Sequence, residues 1–116
     1  MTVKRIEVDV TAVPSTAAAA YTVPNTSGKE KAEIVQIGVH SRTDAGGDYE
    51  VILYRVPSGG SATTATEVYA RTLAEGRSDV PFKLLNATLE AGTAIYAYCA
   101  TADKINLDMS VREITE

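Results

Sequence analysis

The chain has 116 residues, the length of a single domain, and 45% of them are apolar. It carries 11 lysines and arginines against 15 aspartates and glutamates, scattered along the sequence, so its net charge is −4. Binding to a nucleic-acid backbone uses a basic cluster, and the sequence contains none, so nucleic acid is not an expected partner. A single cysteine, Cys99, excludes an intrachain disulfide, and its neighbours predict a buried side chain rather than a reactive thiol.

The amino-terminal segment predicts neither a secretion signal nor a membrane span. Residues 1–7 are charged, no long apolar run follows them, and the four alanines at 17–20 are too few to cross a membrane. We therefore expect a protein that is made in the cytoplasm and is soluble there at first, without a membrane partner.

Short segments along the whole chain alternate apolar and polar residues, which is the pattern of half-buried strands. The clearest strands are predicted at the following residues: 5–10, 34–39, 49–56, 80–85, 94–100 and 105–112. The segment 66–76 fits a short helix closed by Gly76 as well as a strand, and the strand is favoured because its neighbours are strands. Ser27 and Glu30 match the pattern of a helix capping box, but the β-branched residues after them argue against a helix.

Two further predictions concern the last two strands of the chain. The connection at 101–103 is short, which predicts a hairpin between the last two strands. Glu113 and Ile114 break the alternation of the last strand, so we expect a bulge or the end of the strand there.

The tetrapeptide Tyr-x-Val-Pro occurs twice, at residues 21–24 and 54–57, and turn-forming residues follow each copy. Proline has no N–H to donate to a strand ladder, so each copy predicts the end of a strand whose tyrosine and valine share a face. No third copy follows, and the residues between the copies are strand-like. The repeat therefore indicates turns rather than a duplicated unit.

These segments predict an all-β fold, an antiparallel β-sandwich of about 7–9 short strands, either immunoglobulin-like or jelly-roll-like. We expect residues 15–116 to form this one domain. Residues 1–14 are expected to add a strand or to extend as an arm to a neighbouring subunit.

The sequence offers few groups for catalysis or metal binding. His40, the only histidine, ends a predicted strand, and this position favours a polar strand-end residue over a catalytic base. One histidine and one cysteine are too few for zinc. Asp44, Asp48 and Glu50 flank a Gly-Gly turn without EF-hand spacing, which favours a solvated acidic turn over a calcium site. We therefore expect no enzyme activity, no catalytic residue, no metal and no cofactor.

Tyr96 and Tyr98 are the candidate interface residues. They alternate along one segment with Ile95, Ala97 and Cys99. If the second set faces the core, both tyrosines project outwards, where paired tyrosines are typical of a protein interface. Ordinary cross-strand packing of phenol rings accounts for them equally well.

Two stretches of the sequence resemble small bacteriophage virion proteins. Residues 21–24 and the segment 32–37 are similar to a "YTVP" strand and turn that lead into an "IV-x-x-I" strand. Residues 89–107 are similar to the "L-x-AG-x-x-I-x-A … A-x-D-x-(I/V)-N-(V/L)" ending of those proteins, and 111–114 to their last strand. The likeness covers roughly residues 21–114.

The resemblance implies a non-enzymatic β-sandwich built into a phage particle and located in the virion. Capsid decoration, or cementing, is the first function that it implies, and a neck, tail or baseplate component is the second. The implied partners are the major capsid protein or other virion proteins, with a homo-oligomer, a trimer above all. A carbohydrate-binding sandwich for host attachment is the competing function, although the sequence has no tryptophan to stack on sugars.

Overall fold

A computed structural model describes residues 1–116, the whole chain. The chain is all-β, with nine strands and a single turn of 3₁₀ helix at Thr64–Thr66. The strands are β1 (Thr2–Val10), β2 (Ala18–Thr22), β3 (Lys31–Ser41), β4 (Tyr49–Val56), β5 (Glu67–Leu73), β6 (Ser78–Asp79), β7 (Thr88–Glu90), β8 (Ala94–Cys99) and β9 (Ile105–Thr115). No helix in the chain has the length and apolar character that crossing a membrane requires.

The strands form two antiparallel sheets. Sheet A has the strand order β1-β9-β3-β6, with β7 also paired to β3, and sheet B has the order β2-β8-β4-β5. Most successive strands therefore lie in opposite sheets, which is the connectivity of a jelly roll. The predicted antiparallel β-sandwich is confirmed. The sequence left open an immunoglobulin-like or a jelly-roll-like form, and the strand order is that of the jelly roll. The segment that fitted both helix and strand is a strand, β5.

Aliphatic side chains fill the space between the sheets. Alternate residues of each long strand point into this space, and in β9 they are at most 2% exposed: Ile105, Leu107, Met109 and Val111. Strands β4 and β8 supply the facing layer of sheet B, with Val51, Leu53, Ile95, Ala97 and Cys99. Cys99 is 1% exposed, so its predicted burial is confirmed.

The predicted hairpin between the last two strands is wrong. β8 pairs with β2 and β4 in sheet B, whereas β9 pairs with β1 and β3 in sheet A. The short connection between them, with Asp103 at a φ of 66°, passes from one sheet to the other. Its length could not separate the two cases, because packed sheets lie only about 10 Å apart.

The predicted bulge or strand end at Glu113 is also wrong, because β9 runs to Thr115 and keeps its register with β1 throughout. Glu113 takes an inward-facing position, and its carboxylate accepts a hydrogen bond from the Tyr21 hydroxyl of sheet B at 2.5 Å. The side chains of β9 therefore keep alternating between the two faces, but the inward-facing residue at position 113 is charged and not apolar. The register shift in the pairing of β9 lies elsewhere, between Ile34 and Gln36 of β3.

The strand predicted at residues 80–85 is wrong as well. The segment is a turn in which the Leu84 N–H donates to the Pro81 carbonyl at 3.0 Å. Pro81 has no N–H for a strand ladder, and Asn86 adopts a φ of 63°, which an extended strand does not allow. Phe82 consequently lies in the turn and is 76% exposed.

Both Tyr-x-Val-Pro segments end strands, as predicted, and they meet at one end of the sandwich. β2 ends at Thr22 and β4 at Val56, on either side of β8. Gly92 lies between the two turns with a φ of 81°, and a Cβ atom there would be 2.5 Å from Ser58 Oγ and 3.2 Å from Asn25 Nδ2. A side chain at Gly92 would therefore both strain the backbone and push the turns apart.

The carboxylate of Glu30, a residue 4% exposed, holds together the loop before β3. It accepts hydrogen bonds from the backbone N–H groups of Thr26, Ser27 and Lys29, at 2.6, 3.1 and 3.1 Å, and from the hydroxyls of the first two. These donors, the Thr26 hydroxyl above all, hold the pKa of Glu30 well below its ordinary value. The capping pattern in the sequence thus closes a turn, and the rejection of a helix here is confirmed.

Two tyrosines connect the sheets, one towards each side of the sandwich. Tyr21 in β2 donates to Glu113 in β9 at 2.5 Å, and Tyr69 in β5 donates to Asp79 in β6 at 2.7 Å. Burial first, and then the carboxylate partner, raises the pKa of both tyrosines above the ordinary value. Each hydroxyl therefore stays protonated and keeps donating between the sheets.

Glu30→Gln is expected to lower the melting temperature by several degrees at neutral pH, because the amide nitrogen cannot accept the backbone hydrogen bonds. Since the folded-state pKa of Glu30 is lowered, its stabilisation is present above the ordinary glutamate pKa of about 4.3 and is lost as the pH falls below it. The difference between the two proteins should therefore shrink in acid, as followed by circular dichroism melts. Glu90→Gln changes an exposed carboxylate of β7 and serves as the control; equal melting temperatures of Glu30→Gln and the wild type at neutral pH would refute this role.

Tyr21→Phe is expected to lower the free energy of unfolding by about 1–3 kcal/mol, because it removes a hydrogen bond to a charged group and leaves Glu113 without its partner. Urea unfolding at neutral pH measures the difference. Tyr98→Phe, which removes a hydroxyl without an intramolecular partner, is the matched control. An unchanged unfolding midpoint in Tyr21→Phe would show that the bond between the sheets adds nothing to stability.

Candidate protein interface

Tyr96 and Tyr98 project from the outer face of sheet B, where two further large side chains join them. In the register of β8 and β4, Tyr96 lies beside Tyr54, and Tyr98 lies beside Ile52. All four side chains are half-buried. We call these four residues the tyrosine patch.

The alternation of β4 and β8 forces these side chains outwards. The intervening residues of β8, Ile95 and Ala97, are at most 1% exposed, as are Val51 and Leu53 of β4. Because strand side chains alternate between faces, burial of one set places the other set on the outer surface. The outward position of Tyr96 and Tyr98 relative to the core is thus the one that the sequence suggested, while their part in an interface stays a prediction.

Sequence reasoning missed Tyr54 and Ile52. The alternation of β4 could have placed them on the surface, but nothing local in the sequence pairs β4 with β8. Tyr54 also belongs to the second Tyr-x-Val-Pro segment, whose first copy places Tyr21 in the core at 8% exposure. The same tetrapeptide is therefore used on opposite faces of sheet B.

Small side chains flank the patch on both sides. Ala19 in the edge strand β2 lies beside Tyr96, and Ala70 in the edge strand β5 lies beside Ile52. Both alanines are exposed. The larger side chains of the patch therefore extend further from the sheet than the alanines beside them, so a partner surface can reach them.

Carboxylates border the patch at β4 and β5. Glu67 lies beside Tyr54 across the two strands, and Glu50 lies on the same face of β4 as Ile52. Both glutamates are exposed. Burial raises the pKa of Tyr54, and the negative charge of Glu67 raises it further.

A second group of polar residues, which sequence reasoning did not foresee, lies on the outer face of sheet A. His40 Nδ1 is 2.7 Å from Ser78 Oγ, and His40 Nε2 is 3.4 Å from Asp108 Oδ2. The His40 and Asp108 side chains are 42% and 59% exposed, so water screens both groups. Catalytic triads depend on a dry, preorganised setting, and this open face fits a polar contact between β3, β6 and β9 better.

The acidic residues that flank the Gly-Gly turn do not converge. Asp44 pairs with Arg42 at 3.2 Å, while Glu50 lies on the outer face of β4. No three His, Cys, Asp or Glu side chains of the chain lie close enough together to hold a metal ion.

No protein-family model matches the chain, and no curated protein matches its sequence. Among solved structures it is similar to a protein of Bacillus endospore appendages, described as a novel family of disulfide-linked pili, with 22% identity and a TM-score of 0.52 over 98% of this chain and 87% of that one. A chain of infectious bursal disease virus, Gx strain, has 7% identity and a TM-score of 0.41 over 97% of this chain and 31% of its own. A chain of the virus-like particle of Macrobrachium rosenbergii extra small virus has 16% identity and a TM-score of 0.37 over 99% and 80%. The likeness to the pilus protein shows a shared fold.

Tyr54 is expected to ionise at a higher pH than an exposed tyrosine, because burial and Glu67 both disfavour the phenolate. Glu67→Gln removes the neighbouring charge and should lower the pKa of Tyr54 without restoring the ordinary value, since burial remains. NMR titration of the Tyr54 ring measures both. Glu7→Gln makes the same change of charge on the other sheet and should leave Tyr54 unaffected; the same Tyr54 titration in the wild type and in Glu67→Gln would be the contrary result.

Proposed function

We propose that this chain is a non-enzymatic structural subunit that assembles through protein contacts at the tyrosine patch. The observation that carries the proposal is the outer face of sheet B, where three tyrosines and an isoleucine lie side by side in half-exposed positions. Tyrosine gives a large contact area with few rotatable bonds, and it is enriched at the centres of protein interfaces.

The fold supports this proposal. The pilus protein of the endospore appendages has the same fold, so a sandwich of this kind is compatible with assembly into a larger structure. The disulfide linkage named for those pili is not part of the proposal, because Cys99, the one cysteine of this sequence, is 1% exposed.

In its finer form, the proposal is a bacteriophage capsid decoration, or cement, protein that binds the major capsid protein or other virion proteins as a homotrimer. The support for a phage particle is the sequence resemblance over residues 21–114. A subunit that binds across neighbouring capsomers binds only while they stay together, so its binding energy stabilises the assembled particle without any chemistry. A neck, tail or baseplate component is the second form of the same proposal.

The double variant Tyr96→Ala/Tyr98→Ala is expected to weaken association more than tenfold, since a tyrosine at the centre of an interface contributes about 2 kcal/mol or more. Light scattering over a concentration series measures self-association, and co-sedimentation with purified phage capsids measures decoration. Phe82→Ala removes an aromatic side chain that is 76% exposed at the edge of sheet A, and it should leave both results unchanged.

Association that is lost in the tyrosine variant and kept in Phe82→Ala supports the proposal, provided that circular dichroism shows both variants folded. A wild-type chain that stays monomeric at every concentration and remains in the supernatant above the capsids overturns it. Binding of neutral oligosaccharides that the tyrosine variant loses, without protein association, would favour the carbohydrate-binding alternative instead.

A further inference from the structure

The border of the tyrosine patch carries charge of one sign. Glu50 and Glu67 are exposed on the same face as the tyrosines. Neither carboxylate belongs to any of the five ion pairs of the chain, which use other acidic residues. Their charges are therefore not neutralised within the subunit.

The arginines of the neighbouring strands point away from this face. Arg55 of β4 donates to the Thr88 carbonyl of sheet A at 2.8 Å. Arg71 of β5 lies 3.5 Å from the Asp79 carboxylate, which also belongs to sheet A. Both guanidinium groups thus bond to the opposite sheet, and the outer face of sheet B keeps only negative charge.

The outer face of sheet A differs, because it carries charges of both signs, and two of its arginines pair with glutamates. Arg5 lies 3.5 Å from Glu7, and Arg112 lies 3.1 Å from Glu33. A charged partner of either sign would meet like charges as well as opposite charges on that face. The outer face of sheet B therefore presents charge of a single sign, whereas the outer face of sheet A presents both signs.

We propose that the surface that covers the tyrosine patch is a cationic protein surface, which presents arginine or lysine side chains to the phenol rings and to Glu50 and Glu67. This inference rests on the proposed function and names the chemistry of its partner. The faces of aromatic rings attract cations, arginine above all, and nearby carboxylates strengthen the attraction. Complementary charge also steers a partner to the patch and selects against other surfaces.

The same charges oppose three other occupants: a second tyrosine patch, a nucleic acid and an anionic membrane. Face-to-face packing of two identical patches would bring the Glu50 and Glu67 carboxylates of both copies together, which like-charge repulsion opposes. Nucleic acids and anionic membranes would meet the same repulsion. The contact therefore joins the patch to a different, basic surface.

Titration of the isotope-labelled chain with a capped tetra-arginine peptide tests the inference by NMR. The largest shift changes are expected at Ile52, Tyr54, Tyr96 and Tyr98. The double variant Glu50→Gln/Glu67→Gln should raise the Kd for the peptide by about three- to tenfold, the range expected for two exposed charges near aromatic rings. Glu7→Gln/Asp9→Asn makes the same change in net charge on the outer face of sheet A, and it should leave the Kd within error of the wild type.

Equal effects of the two double variants, or peptide shifts spread over both sheets, would show non-specific attraction and overturn the inference. A symmetric dimer joined through two tyrosine patches would also overturn it. The proposed function is tested separately. If Tyr96→Ala/Tyr98→Ala abolishes association but Glu50→Gln/Glu67→Gln does not weaken it, the result supports the interface and overturns the cationic partner. If neither variant changes association, the interface itself is wrong.

Discussion

Nineteen buried side chains form one core between the two sheets, and each long strand must point every second residue into it. The tyrosine patch is a direct consequence of this two-residue period. Burying Ile95 and Ala97 in β8 leaves Tyr96 and Tyr98 no position except the outer face. Dense packing in the core leaves the backbone under the patch little room to adjust. A rigid face loses little conformational entropy when a partner covers it, which favours recognition.

The chain uses tyrosine in two physically different ways. Tyr21 and Tyr69 lie within the sandwich, where each hydroxyl donates to a carboxylate of the opposite sheet. The tyrosines of the patch have no such intramolecular partner, so their rings and hydroxyls remain available for contacts. Stability and the proposed recognition thus involve separate sets of tyrosines, so substitutions in the patch leave the bonds between the sheets in place.

The proposed assembly through a face, not through a strand edge, fits the charges of the molecule. β1 is an edge strand of sheet A, and along its length it carries Lys4, Arg5, Glu7 and Asp9. Charged residues on an edge oppose pairing with the edge of another chain. The outer face of sheet B offers instead an aromatic centre with a negative border, which suits the cationic partner surface that we propose and opposes the pairing of two such faces.

The sequence by itself determined most of the local properties: which long segments are strands, with the turn at residues 80–85 as the exception, that each Tyr-x-Val-Pro ends a strand, and that Tyr96 and Tyr98 face away from the core side on which Cys99 is buried. These follow from alternation and turn chemistry, which act between neighbouring residues. Only the tertiary structure decided that β8 and β9 separate into different sheets, that Tyr54 joins the patch, and that Glu113 faces inwards. Each of these depends on strand pairing or on a contact between residues far apart in the chain. Pairing is selected by the packing of the whole core, and the short-range pattern of the sequence carries no information about it.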